Sequence, residues 1–447
     1  MSKCIPQLLS FSPIVGKKVQ ADFDGGEITS DAGVLTLRET EARVGVIAAI
    51  STAIHDLRDS RYVEHEILHI VAQRVNQIAC GYEDANDCNK LRNDPAHKLA
   101  AGKLPVSDSP LASQPTASRL ENAVSRCDLY RMGSAFVDIF INSYSAPPEI
   151  IVLDFDDTED KAHGQQQLSL FNGYHGSRCY MPLHVYEGLS GKLITSILRP
   201  GSRPKGSQIL AIFKRLLSKI RASWPDTIIV FRGDSHFCVP EMLKFCDTHN
   251  VKYCVGLAGN ATLKRLTESL VIEAKSVFAQ SNIPVRLYES FSYKAGSWDK
   301  SQRVVVKVEA SSSGTSLRFL ATNLTEPDEA TIYQDIYSPR GQMENYIKDH
   351  KLHLKSDRTS CNSFEANQFR LFLHSAAYVI MHSLRENVLK GTEFAHAQFD
   401  TIRLYLLKVG AKVRELKTRI KLHLPSSFAH KDILVNACAI FCTLATT

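Results

Sequence analysis

Long apolar runs, a secretory leader and paired cysteines are all missing from this sequence. No apolar run approaches the roughly 20 residues that a membrane-spanning helix needs, and the start MSKCIPQLLSFSP lacks the layout of a signal peptide. The 11 cysteines are an odd number and include no CxxC pair. We therefore expect a cytoplasmic protein with reduced thiols and without a membrane span, a disulfide framework or a zinc site.

A large net charge is missing too, and the charge that exists is concentrated. The formal net charge is +6. Residues 401–430 contain seven Lys and Arg and one acid, which is 7 − 1 = +6, so the rest of the chain balances to zero. Residues 196–224 contain seven more basic residues and no acid. Such basic segments are typical of proteins that bind a polyanion, because neutralising phosphates supplies most non-specific affinity.

The spacing of apolar residues changes near residue 149. Before it, apolar residues recur at helical spacing in stretches such as 64–79, which indicates a mainly helical region. After it, short apolar runs bounded by turn residues predict strands and helices in the order β-β-β-α-β-α-β, ending near Leu257. That order, an antiparallel meander followed by parallel crossovers, predicts a mixed α/β fold with an RNase H-like core. Alternating patterns between 258 and 330 predict a β-rich insertion.

Three acidic residues stand where this fold would place a metal site. Asp154 or Asp156, in LDFDDT, and Asp234, in FRGD, lie at the ends of two apolar strands. Glu344 follows on a predicted helix, for which Ser338 is the expected N-cap. Three carboxylates suffice for Mg²⁺, which prefers oxygen ligands and keeps several waters. Two such ions can activate a nucleophile and stabilise the leaving oxygen of a phosphodiester.

The predicted helix that carries Glu344 also has basic residues, and they lie on the same face as Glu344. Arg340, Glu344, Lys348 and Lys351 fall at helical spacing, and Tyr337 precedes them. In an arbitrary helix such charges are most often a solvated ion-pair face. The two strands that end in aspartate favour a functional role here.

Taken together, the motifs resemble a known family. The spacing Y-(2)-R-(3)-E-(6)-K from Tyr337 to Lys351 is similar to the signature of bacterial insertion-sequence DDE transposases that carry a β-strand insertion domain. More closely, the chain resembles the transposases of insertion sequence family 1380. The matching segments follow the family's order over most of the chain: DFDGGEITSDAGVLTLRE (22–39), QIACGYEDANDCNKLRNDP (77–95), SQPTASRLEN (113–122), LDFDDTEDKAHGQ (153–165), FNGYH (171–175), RGDSHF (232–237) and RGQMENYIK (340–348).

The resemblance implies roles for individual residues. Asp156, Asp234 and Glu344 would be the catalytic carboxylates and would hold two Mg²⁺ ions, for which Mn²⁺ can substitute. The family's Asp-x-Thr pattern favours Asp156 as the first ligand, and Asp154 remains the alternative. The residues expected to contact DNA are the other members of the basic helix face and a tryptophan that could stack on a flipped base: Tyr337, Arg340, Lys348, Lys351 and Trp298.

These features predict a DNA transposase of the bacterial cytoplasm, associated with the nucleoid. It would bind the terminal inverted repeats of its own element as a homodimer in a synaptic complex. It would then cleave double-stranded DNA with Mg²⁺ and join the end to target DNA by cut-and-paste transfer; the resemblance also suggests a DNA hairpin intermediate. The alternatives are an RNase H-like metal-dependent nuclease or resolvase, and a catalytically inactive DNA-binding descendant.

The changes of pattern also divide the chain into five predicted parts. Assignment of the first part to DNA recognition rests on family and position, because no helix-turn-helix can be placed in it. The parts are a helical N-terminal DNA-binding region (1–145), the first part of the core (146–257), the β-rich insertion (258–330), the second part of the core with the acidic helix (331–400) and a basic C-terminal region (401–447).

Overall fold

A computed structural model of the chain describes residues 8–202 and 206–443. Arg203 and Lys205, two members of the basic segment 196–224, lie outside these residues. The chain forms two compact units. One comprises the chain up to Val124, His353–Lys355 and the chain from Ala376 onward, and the other comprises Ser125–Leu352 and Ser356–Ser375. None of the described helices is both long and apolar enough to cross a membrane.

The strands are β1 Leu9–Ile14, β2 Lys17–Ala21, β3 Ile28–Thr29, β4 Ile150–Asp157, β5 Asp160–Lys161, β6 Leu170–Asn172, β7 Ser177–Tyr180, β8 Leu183–Glu187, β9 Leu193–Ile197, β10 Ile228–Gly233, β11 Lys252–Leu257, β12 Val285–Tyr293, β13 Gln302–Ser311, β14 Gly314–Thr322, β15 Ala411–Glu415 and β16 Ile420–His423. The α-helices are α1 Val34–Val44, α2 Val46–Thr52, α3 Ile67–Ala79, α4 Asp87–Leu91, α5 Pro95–Ala100, α6 Gln114–Ala123, α7 Arg126–Asn142, α8 Gly206–Ser223, α9 Pro240–Thr248, α10 Ala261–Leu266, α11 Glu268–Ser281, α12 Glu329–Thr331, α13 Gln342–Lys348, α14 Phe364–Ser383, α15 Phe399–Ile402 and α16 Lys431–Thr443.

The second unit is built on one eight-stranded mixed sheet. The strand order is β12-β13-β14-β11-β10-β4-β8-β9. Strands β4, β10 and β11 are parallel, whereas β8 is antiparallel to its neighbours β4 and β9. Helices α8 and α9 supply the crossovers between parallel strands. The predicted mixed α/β fold with an RNase H-like core is confirmed.

The central strands of this sheet are apolar because both of their faces are covered. Phe155 of β4 meets Phe213 of α8 and Phe231 of β10 in edge-to-face contacts, with ring centroids 5.5 and 5.1 Å apart. The buried runs end close to two aspartates, Asp156 near the end of β4 and Asp234 directly after β10. The packing of the core therefore fixes where these two carboxylates emerge.

The segment after β11 differs from its sequence prediction. The alternating pattern predicts a β-rich insertion between 258 and 330, and helices α10 and α11 precede its strands. The sequence pattern that indicates α11 is the four-residue spacing of Leu270, Ala274 and Phe278, which lie on the face of the helix that packs against the core. Strands β12–β14 then form an antiparallel meander, and β14 pairs with β11. The insertion extends the core sheet by three strands.

The helix that carries Glu344 begins ten residues earlier than predicted. Asp328, not Ser338, is the N-cap, and its carboxylate accepts the backbone N–H of Thr331 at 2.8 Å. Helical structure continues from there to His353, with π-helical turns at Ile332–Tyr337 and Asp349–His353 and a 3₁₀ turn at Ser338–Gly341. Because a proline inside a helix removes a backbone donor, the irregular turns around Pro339 have a local cause.

The other unit packs around a buried carboxylate. Asp31 accepts a hydrogen bond from Tyr82 Oη at 2.9 Å and lies 3.1 Å from Nε2 of His97 and 2.8 Å from Nζ of Lys408. Burial by itself raises the pKa of Asp31, but the hydrogen bonds of His97 and Lys408 lower it overall. Lys408 belongs to the basic segment 401–430, so part of that charge is neutralised inside the protein.

We expect the stability of this unit to fall with rising pH through Glu41. Its Oε1 accepts the backbone N–H groups of Ile47 (2.8 Å) and Ala48 (3.2 Å), yet burial raises the pKa of Glu41 from 4.5 to about 7. Between these values the unfolded chain has lost the proton and the folded chain has kept it. The free energy of unfolding therefore decreases as pH rises through this window, by at most about 3 kcal/mol.

Urea unfolding at several pH values measures this effect, with Glu41→Gln as the comparison. The amide cannot ionise, so the variant should lose this part of the pH dependence and be the more stable protein above pH 7. Parallel stability curves for the two proteins between pH 4.5 and 7 would contradict the assignment.

Candidate active site

The ends of β4 and β10 bring two aspartates side by side. The parallel register pairs Asp154 with Arg232 and Phe155 with Gly233. Asp156 and Asp234 are the next residues on the two chains, and neighbouring strands are about 4.8 Å apart. The two carboxylates that the sequence places at strand ends thus share one edge of the sheet.

Asp156 is the more buried of the two, and its charge is strongly disfavoured. Burial raises the pKa of Asp156 to about 7, and the nearby charges of Asp234 and Asp157 act in the same direction. Arg340 opposes this shift, with its Nη2 3.0 Å from Asp156 Oδ2. A partly buried pair of carboxylates that repel each other is a place where a cation binds favourably.

The irregular helix places two predicted residues over this edge. Burial alone would lower the pKa of the Arg340 guanidinium, but the charge of Asp156 raises it overall. Tyr337 approaches the sheet so closely that a Cβ at Gly256 would lie 3.0 Å from its hydroxyl oxygen. Burial raises the pKa of Tyr337 to about 12, so it remains a neutral hydrogen-bonding group. Tyr337, Arg340, Asp156 and Asp234 form one electrostatic cluster.

Asp154 has a different environment from Asp156. Its two oxygens each lie 2.6 Å from a nitrogen of Arg232, and both side chains are at least 98% buried. Arg232 also donates to the carbonyl of Ile336 at 2.5 Å, which ties β10 to the helix. A Cβ at Gly188 would lie 2.3 Å from Arg232 Nη2, so only glycine leaves room for the pair. Both Asp154 oxygens are therefore engaged by one buried arginine, whereas Asp156 is less buried and contacts Arg340 with one oxygen.

Lys351, on the irregular helix, contacts the chain just beyond the carboxyl end of β4. Its ammonium group donates to Thr158 Oγ1 at 3.1 Å and to the carbonyl of Glu159, and lies 3.7 Å from Asp160 Oδ1. Burial raises the pKa of Asp160 to about 8, and Lys351 partly offsets that shift. Lys351 is therefore held near the site, with only a fraction of its side chain exposed.

Glu344 and Lys348 are both exposed on α13. Across residues 8–202 and 206–443, no three His, Cys, Asp or Glu side chains are grouped closely enough to hold a metal ion. The structure brings Asp156 and Asp234 together but does not join Glu344 to them. The donor chemistry nevertheless suits Mg²⁺, because the adjacent carboxylates are oxygen ligands whose mutual repulsion a cation would relieve, as Arg340 does in part.

Trp298 does not match its predicted role. Its side chain is 6% exposed and packs in the main core, with the ring of Tyr293 edge-on at 5.6 Å. A ring that is covered on this scale has no free face for a nucleobase. The polar residues around it in the sequence suggested an exposed turn, but the indole itself fills the space beneath that turn.

Sequence reasoning missed two arginines that organise the site. Arg232 holds Asp154, and Arg199 holds Asp157 with its Nη2 2.6 Å from Asp157 Oδ2. The sequence does contain a feature that indicates the role of Arg232. It is a charged residue inside an apolar strand, and such a residue requires a buried partner of opposite charge. Arg199 gave no such signal, because it follows β9 in a segment rich in basic residues.

Comparison with known proteins identifies the family of the chain. A family model described as Transposase DDE domain group 1 matches residues 11–446. The cryo-EM structure of the piggyBac transposase synaptic complex with hairpin DNA is similar at 13% identity and a TM-score of 0.42, over 85% of this chain and 80% of that chain. No curated protein matches the chain significantly.

Proposed function

Because the chain belongs to the transposase DDE domain group 1 family, we propose that it is an insertion-sequence transposase of the family 1380 type that acts on the ends of its own element. The observation that carries this proposal is the pair of strand-end carboxylates, Asp156 and Asp234, under the guanidinium of Arg340. Such a site suits a phosphodiester, since it offers carboxylates for metal ions and cations for phosphate.

In this proposal Asp156, Asp234 and Glu344 hold Mg²⁺, or Mn²⁺ in its place. Bound divalent ions would supply charge stabilisation at the attacking and leaving oxygens of the cleaved strand. Glu344 would complete this set, because its carboxylate is exposed on the same irregular helix that brings Arg340 to Asp156. Asp154 has a structural task, holding Arg232.

The cations of the helix are the proposed DNA contacts. Arg340 can form a two-pronged contact with a phosphate, whereas Lys348 and Lys351 act as point charges. Tyr337 is neutral and can donate its hydroxyl proton to a phosphate oxygen. We further propose that two copies act together on paired element ends, followed by strand transfer into target DNA.

Purified protein and a duplex carrying the inverted repeats that flank its gene test the proposal. With Mg²⁺ we expect cleavage at the repeat ends, a 3′-hydroxyl on the released strand, and joining of that end to a target plasmid. Cleavage without joining would favour a nuclease. Repeat-specific binding without cleavage, in either Mg²⁺ or Mn²⁺, would favour an inactive descendant, and failure to distinguish repeats from random DNA would overturn the proposal.

A further inference from the structure

A cavity lies beside the edge strand β9 of the eight-stranded sheet. Its volume is about 530 Å³, which is within the range of ligand sites, whereas packed protein interiors contain few voids larger than a water molecule. Helices α7 and α8 form its walls and β9 forms its floor. The lining is mostly apolar and includes Leu129, Val137, Ile197, Ile212 and Leu216. A cavity of this size and lining suits a small molecule with an apolar body.

The floor of the cavity contains a buried hydroxyl group. Thr195 and Ile197 are two residues apart on β9, so both side chains lie on the sheet face that lines the cavity. The hydroxyl of Ser196, on the opposite face, contacts Nδ1 of His184 at 2.9 Å. Thr195 is 2% exposed, and its Oγ1 has no hydrogen-bond partner among the residues that the structure describes. Because an unpaired buried hydroxyl is unfavourable, a ligand that hydrogen-bonds to Thr195 would gain affinity.

The solvent side of the cavity is basic. Lys214 and Arg215 line it and are exposed. Lys219 also lines it, and its Nζ lies 2.6 Å from Oδ2 of Asp138, an acid next to the lining. These three cations and one acid give 3 − 1 = +2. All three cations belong to the segment 196–224, which contains no acid. A ligand with a negative group is therefore the complement of this rim.

Two contacts join the helices on the solvent side. The guanidinium carbon of Arg215 lies 5.5 Å from the ring centroid of Tyr130, and Nζ of Lys219 donates to the carbonyl of Ser134 at 2.9 Å. An occupant as wide as an α-helix, about 10 Å, would have to break both contacts to reach the floor. A molecule of two or three rings is narrower. The contacts therefore favour a small molecule over a protein segment or a DNA duplex.

We propose that this cavity binds an amphipathic organic anion, a small molecule with an apolar body and one sulfonate or carboxylate group. The apolar body lies between α7 and α8 and hydrogen-bonds to Thr195, and the anionic group faces Lys214 and Arg215. This site is additional to the proposed function and does not depend on it. Strand β8 separates β9 from β4, which carries Asp156.

The test compares two fluorescent probes with the same rings and the same N–H group. One is the anion 8-anilinonaphthalene-1-sulfonate, and the other is N-phenyl-1-naphthylamine, which lacks the sulfonate. Titration by fluorescence and calorimetry should show one saturable site for the anion per chain. Lys214→Gln with Arg215→Gln should weaken binding of the anion by about 5-fold or more and that of the neutral probe by less than about 2-fold. Both positions are exposed, so the fold should persist.

Two further variants examine the interior of the cavity. Thr195→Val keeps the side-chain volume and removes the hydroxyl, so both probes should bind about 3-fold more weakly or worse. Ala222→Phe, at an exposed lining position on α8, fills part of the cavity and should abolish binding of both probes. Lys275→Gln is the matched control, because it removes an exposed lysine on α11, outside the lining. It should change neither affinity.

Three results would overturn the inference. The first is binding of the anion to the double variant with wild-type affinity, because the ligand would then not be recognised by its charge. The second is binding that Ala222→Phe leaves intact or that has no saturable single site, which would place the probe elsewhere. The third is displacement of the anion by random duplex DNA, because the basic rim would then bind phosphates. Repeat-specific cleavage is measured without probe, so failure of the proposed function is recognised separately.

Discussion

Replacement of Asp234 by asparagine should reduce DNA cleavage by on the order of 10³-fold, the loss expected when about 4 kcal/mol of charge stabilisation disappears. The fold should survive. Asp234 is partly exposed, and its Oδ1 accepts the backbone N–H of His236 at 2.8 Å, a contact that an amide oxygen can also make. Loss of a negative charge beside bound phosphates should leave DNA affinity unchanged or slightly higher. Gel-shift and cleavage assays on the same repeat duplex separate these effects.

Glu344→Gln should give the same result if α13 supplies the third ligand. Asp335→Asn is its matched control, because Asp335 is an exposed acid on the same helical segment, nine residues earlier. We expect Asp335→Asn to cleave like the wild type. If Glu344→Gln also cleaves at the wild-type rate while Asp234→Asn is inactive, the third ligand is a different residue. The spacing from Tyr337 to Lys351 would then not identify a metal ligand in this chain.

The strand order and the two strand-end aspartates could be predicted from sequence because short-range rules decide them. Short apolar runs rich in β-branched residues, such as those before Asp156 and Asp234, favour buried strands, and adjacent parallel strands end at one edge of the sheet. The choice between Asp154 and Asp156 could not be made this way. Both lie on the same face of β4, and only Arg232, 78 residues away, distinguishes them.

The helix with Glu344 shows where local rules fail. Ser338 and Pro339 form a good start signal, yet Asp328 starts the helix and the proline is absorbed in a 3₁₀ turn. Tertiary contacts explain the difference, since Arg232 and the close approach of Tyr337 to Gly256 hold the preceding π-helical turn on the sheet. The prediction of an exposed Trp298 was wrong for the same reason. The burial of a side chain depends on the packing of distant segments and not on the polarity of its sequence neighbours.

Arg340 links the electrostatics of the two carboxylates to DNA binding. Its guanidinium lies on Asp156, so it neutralises the carboxylate that the proposal assigns to a metal ion. A divalent ion bound to Asp156 would take over this neutralisation. Arg340 would then be free to contact phosphate, which couples occupation of the site to DNA affinity. Burial raises the pKa of Asp156 because an unpaired carboxylate is unfavourable there. The same burial therefore favours the binding of a cation to Asp156, whether the Arg340 guanidinium or a divalent ion.

Arg232→Ala should be the most destabilising single change at the site. It leaves the carboxylate of Asp154 buried without its partner and removes the donor to Ile336, which together are expected to lower the free energy of unfolding by about 3–5 kcal/mol. Chemical denaturation measures this loss. Arg286→Ala is the control, because Arg286 is 62% exposed and its pair with Glu309 should be worth less than about 1 kcal/mol.

A double variant separates the buried charge from the geometry that it maintains. Asp154→Leu with Arg232→Leu removes both charges and fills the site with apolar volume, so most of the stability lost in Arg232→Ala should return. Cleavage should remain impaired, since the hydrogen bond from Arg232 that ties β10 to Ile336, next to Tyr337 and Arg340, is then lost. Recovery of both stability and cleavage would mean that the ion pair does no more than offset the free-energy cost of burying its own two charges. Persistent instability would mean that the contact with Ile336, not the pair, carries the energy.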